Sequence, residues 1–200
     1  MSSVSSRVEA VRCPGQLSGT VLVNLMIIRR PHGREFRLRP CDETNAIIRH
    51  VVAVIRERTG IELLCLVAMS NYWHLCVSDP EGRICEFTRD CHSVIARAVN
   101  TAHGDFENLW SAEQTSHVIC AEPSDVIAKI AYCMANPVEA RLVAHGKNWP
   151  GVRAALPAKP RVVRRPENFF AVKKTVARGP RWRLSSFRDR LGTRTSPMKS

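Results

Sequence analysis

Apolar and polar positions alternate or recur along the chain in a sequence of short, distinct patterns. Thr20–Ile28 (TVLVNLMII) reads as a strand, and a turn follows at Pro31-His32-Gly33. Over Glu43–Thr59 the apolar residues Ile47, Ile48, Val51, Val52, Val54 and Ile55 recur at helical spacing. Asp42 is the expected N-cap of that helix and Gly60 its C-cap. Ile61–Met69 and Tyr72–Ser78 are two short apolar runs joined by Ser70-Asn71, as in paired strands, and Asp79-Pro80-Glu81-Gly82 is a turn. Arg83–His103 fits a second helix, buried along Ile84, Phe87, Cys91, Val94, Ile95, Ala98 and Ala102.

Gln114–Cys120 is a further strand, and Pro123 opens a third helix where its missing N–H does no harm. That helix is expected over Asp125–Ala135, with an interruption at Asn136-Pro137 and another turn or two over Val138–Ala144. The order β-α-β-β-α-β-α is the split pattern of ferredoxin-like α+β folds: an antiparallel sheet with helices packed on it. Helices on one face leave the other for a substrate or partner. The expected division is a flexible N-terminus over 1–17, a domain over 18–156 and a basic, disordered tail over 157–200.

Charge sharpens that division. Residues 1–156 carry 17 Lys and Arg against 16 Asp and Glu, whereas residues 157–200 carry 13 against 2. The net +12 of the whole chain therefore belongs almost entirely to the tail. Such a tail attracts phosphate backbones without reading sequence, or is a solvated extension with no partner. The eight cysteines show no C-x-x-C pairing and read as cytosolic thiols, several at core positions, not a disulfide frame or zinc site. With no apolar signal-peptide core and no run of about 18 apolar residues, the expected location is the cytoplasm, away from membranes.

Candidate chemistry concentrates in two segments, which hold the only tyrosines of the chain. In Met69-Ser70-Asn71-Tyr72-Trp73-His74-Leu75, Tyr72 and His74 share one strand face and Trp73 points to the other, into the core. In the third helix Asp125, Lys129, Tyr132 and Asn136 form a polar stripe, with Tyr132 and Asn136 one turn apart. On helical pattern alone the stripe reads as the outer face of an amphipathic helix. If the helix lies against the sheet, Tyr132 and Asn136 approach the face that carries His74. Arg29, Arg30, Arg34, Arg37 and Arg39 cluster after the first strand, either as a solvated surface or as phosphate contacts. Trp110 either stacks on a base or caps the core, Trp149 is a packing plug, and His92 is a solvent-facing histidine.

The first segment resembles the M-[PS]-N-H-x-H-L signature of the HUH single-tyrosine (IS200-like) transposases. Tyr132-Cys133-Met134-Ala135-Asn136-Pro137-Val138-Glu139-Ala140 with Leu142-Val143 resembles a segment of their REP-associated tyrosine transposase branch, and Asn148-Trp149-Pro150-Gly151 resembles the W-P element that follows it. The resemblance spans roughly residues 18–155. It implies binding of hairpin-forming single-stranded DNA, which is cleaved and rejoined through a 5′-phosphotyrosine formed by Tyr132. It also implies a divalent ion, Mg²⁺ or Mn²⁺, on His74 and Asn136. Arg29, Arg30, Arg34 and Lys129 become DNA-binding candidates, and a homodimer with shared sites stays open. The chain departs from the signature at its first histidine, where it has Tyr72. A neutral phenol is a poor substitute for an imidazole, so a DNA-binding protein without catalysis is the alternative.

Overall fold

A computed structural model describes residues 23–155, 163–166 and 169. The expectations for 1–17, and nearly all of those for 157–200, lie outside the described residues. The elements follow the expected order: β1 (Val23–Arg29), α1 (Asp42–Thr59), β2 (Glu62–Ala68), β3 (Trp73–Asp79), α2 (Ile84–His103), β4 (Ser116–Cys120) and α3 (Pro123–Glu139). A short strand, β5 (Arg153–Ala155), is added at the end. The sheet is antiparallel throughout, in the order β4-β1-β3-β2-β5, so its first four strands keep the ferredoxin-like arrangement. The fold class is α+β, as the pattern of elements predicts.

The boundaries differ from expectation where one residue does another's work. The N-cap of α1 is Cys41, not Asp42: Cys41 is extended, and its sulfur accepts the Thr44 N–H at 3.4 Å. Asp42 is already helical, where its charge favours the positive end of the dipole. The α2 terminus is closed from outside, by the buried Asp79 carboxylate accepting from the Arg83 and Ile84 N–H groups at 2.9 Å each. The expected interruption of α3 at Asn136-Pro137 does not occur, and the helix runs through both to Glu139. It stops there because Arg141, at φ +56°, turns the chain: its N–H bonds Val138 O while Leu142 N–H bonds Pro137 O.

β3 is central and all seven of its residues are buried. Trp73, Leu75 and Val77 face the aliphatic core beneath α1 and α2. Cys76, between them in sequence, packs on the opposite face, as its alternating neighbour His74 must. That second face is not left open, as the sequence reading supposed. α3 lies across it and reaches all five strands. β5 and the segment before it brace β2, with Trp149 Nε1 donating to Ala68 O at 3.0 Å and Ala68 N–H to Val152 O at 2.9 Å. The packing role expected of Trp149 is what it has. Gly151 is required there, since a Cβ would sit 2.8 Å from the Ala68 carbonyl and against the Trp149 indole.

Candidate functional site

The cross-strand register places His74 beside Ile28 of β1 and Val67 of β2, on the face crossed by α3. His74 is 3% exposed. Tyr72 stands edge-on to it with centroids 4.9 Å apart, and Tyr132 approaches edge-on from α3 at 5.7 Å. Asn136, one turn on from Tyr132, is buried; its Nδ2 donates to Tyr132 O at 2.8 Å and its Oδ1 accepts from Tyr72 Oη at 2.9 Å. A single chain thus assembles all four residues. Tyr132 differs from the others in being 46% exposed, with its phenol available to a molecule arriving over α3.

The electrostatics separate the rings further. Burial, with the nearby Arg30 charge, lowers the His74 pKa to about 4, although Cys65 and a hydrogen bond with Asn136 work the other way. His74 is therefore neutral at pH 7, and its buried Nδ1 has no hydrogen-bond partner among the described residues. Burial raises the Tyr72 pKa, helped by Tyr132 and Glu139 and opposed by Arg30. Arg30 is exposed and its charge reaches both His74 and Tyr72, so it borders the site. Glu139 also borders it, and sequence reasoning missed it; its place one helical turn after Asn136 was the available signal.

The other basic candidates sit elsewhere. The half-buried Arg29 guanidinium donates to Ser111 O at 2.8 Å and to Glu113 O, and its charge acts on His92 on the α1/α2 face. Lys129 acts on Cys120 at the β4 side of α3, and Arg34 is exposed in a turn at φ +58°. His92 is not the solvent-facing residue expected from its helix position. It packs against Trp73 and Trp110, with centroids 5.4 and 5.1 Å away, and Trp110 Nε1 donates to His92 O at 2.7 Å. Trp110 is therefore a cap on the core, and His92 lies across the sheet from Tyr72 and His74.

The donor set does not fit a hard divalent ion as it stands. Mg²⁺ and Mn²⁺ favour oxygen ligands, carboxylates above all. His74 offers one nitrogen, and Asn136 Oδ1, which accepts from the Tyr72 phenol, one remaining lone pair, so the two give only two ligands. Among the described residues, the one set of three metal-capable side chains is instead Cys65, Cys76 and Cys133, directly under the site. Cys41, Cys65, Cys76, Cys91, Cys120 and Cys133 are free thiols as expected, whereas Cys85 takes part in a disulfide.

No family model and no curated protein matches the chain. Among solved structures it is similar to a REP-associated tyrosine transposase bound to a REP hairpin, at TM-score 0.54 and 16% identity over 68% of this chain and 79% of the other. It is also similar to a protein of Deinococcus radiodurans R1 described as a transposase, at TM-score 0.42 and 21% identity over 61% of this chain and 95% of that one. The first of these likenesses establishes that the chain has the fold of that transposase.

Proposed function

We propose that the chain is a transposase-type protein that binds hairpin-forming single-stranded DNA over α3, with Tyr132 as its nucleophile. The observation that carries this reading is the exposed Tyr132 phenol held against the buried, neutral His74. The fold supports it, being that of a transposase solved with a hairpin. In the proposed reaction the Tyr132 oxygen attacks a backbone phosphorus. The new phosphotyrosyl bond forms as the bond to the 3′-oxygen breaks, and the phenolic proton ends on that oxygen. Attack by a 3′-hydroxyl reverses the step and rejoins strands. Arg30 offers a cation to the phosphate beside the rings, and the 13 basic residues of 157–200 add attraction along the strand.

The Tyr72–Asn136 hydrogen bond favours a second reading, in which the protein binds DNA but cleaves it slowly or not at all. It takes one of the two lone pairs of the oxygen that the resemblance assigns to a metal. Binding is tested first, by gel shift on a hairpin with single-stranded flanks against a matched duplex. The hairpin is expected to be preferred and Arg30→Ala to weaken the shift, while Tyr132→Phe leaves it unchanged. Equal retention of hairpin and duplex would overturn the recognition of folded single strands.

A further inference from the structure

Three cysteines from three elements meet at one point of the α3 face. Cys65 of β2 and Cys76 of β3 are cross-strand partners, and Cys133 descends on them from α3, with Cys76 and Cys133 sulfurs 3.7 Å apart. All three sulfurs lie within 4.8 Å of one another and the residues are no more than 2% exposed. Cysteine often packs as a small hydrophobe, but scattered packing does not bring three sulfurs to a common centre. Sulfurs bound at about 2.3 Å to a single ion stand about 3.8–4.0 Å apart, close to the spacing here.

The surroundings select the ion. Met26 and Met69 belong to the same buried cluster, so the neighbourhood is rich in polarisable sulfur. No fourth His, Cys, Asp or Glu joins the three among the described residues, and burial leaves no open route for water to complete a tetrahedron. Structural Zn²⁺ takes four ligands almost without exception. Three buried sulfurs suit a trigonal, soft ion better.

We propose that Cys65, Cys76 and Cys133 form a buried site for a thiophilic ion, Cu(I) in preference to Zn(II). Sulfur–metal bonds form as thiol protons leave to solvent, and no change of oxidation state is involved. The ion fastens α3 to β2 and β3 at a residue adjoining Tyr132, so occupancy rigidifies the platform of the proposed nucleophile. The inference does not depend on the proposed function, since it is read from metal uptake alone.

The test is an anaerobic titration of the full-length protein, with the Cys85 disulfide left intact, with Cu(I) in competition with a chromogenic Cu(I) chelator, and a parallel titration with Zn(II). One equivalent of Cu(I) per chain is expected, bound more tightly than Zn(II). Cys65→Ser, Cys76→Ser and Cys133→Ser should each weaken it by at least on the order of 100-fold, since even outer partners of a metal ligand are worth 10–100-fold. Cys41→Ser, at an exposed cysteine, should bind as the parent does. X-ray absorption on the unmutated protein decides the case even if the variants fail to fold: three sulfur neighbours at about 2.3 Å are expected. No uptake, undiminished uptake in a folded cysteine variant, or nitrogen and oxygen neighbours overturns the site. Zn(II) bound as tightly as Cu(I) overturns the choice of ion.

Discussion

The two faces of the sheet are built from the same strands and differ in their chemistry. Under α1 and α2 lie Leu25, Ile27, Leu66, Trp73, Leu75 and Val77, a face of tightly buried aliphatic and indole groups. Under α3 the same strands contribute Met26, Cys65, Cys76 and His74, softer or more polar side chains, with Tyr72 and Asn136 closing one end. The single-residue step from Trp73 to His74 crosses from one regime to the other. Stability should therefore respond mainly to the first face, and function to the second.

The largest effect should come from Trp73→Ala, which removes a fully buried indole and should lower unfolding free energy by about 3–5 kcal/mol in urea titration. A loss no larger than that of an exposed substitution would break the contrast between the faces.

The acid response of His74 should come next; each face holds a neutral histidine. The His74 pKa is about 4, and that of His92 is lowered to about 3 by burial and the charges of Arg29 and His117. Both lie below the ordinary value of 6.5, so the unfolded chain binds protons first as pH falls. The stability they contribute is complete above pH 6.5, declines below it, and is lost once pH reaches the folded values near 4 and 3. The His74 share is about 3 kcal/mol at one pKa unit per 1.36 kcal/mol. His74→Gln should flatten the fall between pH 6.5 and 4, and an unchanged slope would place the acid response elsewhere.

Tyr72→Phe should have a smaller effect, about 1–2 kcal/mol, by leaving the buried Asn136 oxygen without its donor. Tyr132→Phe should change stability least, by no more than about 0.5 kcal/mol, since only an exposed hydroxyl is lost. A large loss there would make Tyr132 a structural residue and weaken its assignment as nucleophile.

Much of this was legible in the sequence because β3 sits between two covered faces: alternation alone separates Trp73 from His74, and helical spacing alone joins Tyr132 to Asn136. β5 was not legible, since three residues carry no period and only pairing with β2 defines them. α3 outran its expected break because Pro137 is buried within a helix that packs on the whole sheet, and tertiary contact outweighs local propensity. The cysteine cluster left no spacing motif, because its members come from three elements that meet only when folded. The bond from the Tyr72 phenol to Asn136 Oδ1 was not legible, because it joins a strand and a helix that meet only when folded.

That hydrogen bond bears on the central proposal, in which Tyr132 is the nucleophile and Tyr72 restrains the site. The most direct measurement incubates hairpin-containing single-stranded DNA and Mn²⁺ with the parent chain, Tyr72→His, and Tyr72→His combined with Tyr132→Phe, then reads covalent protein–DNA adduct on a denaturing gel. The account predicts little or no adduct from the parent, a clear band from Tyr72→His, and none from the double variant. A band that persists without the Tyr132 hydroxyl, or a parent as active as Tyr72→His, would contradict it.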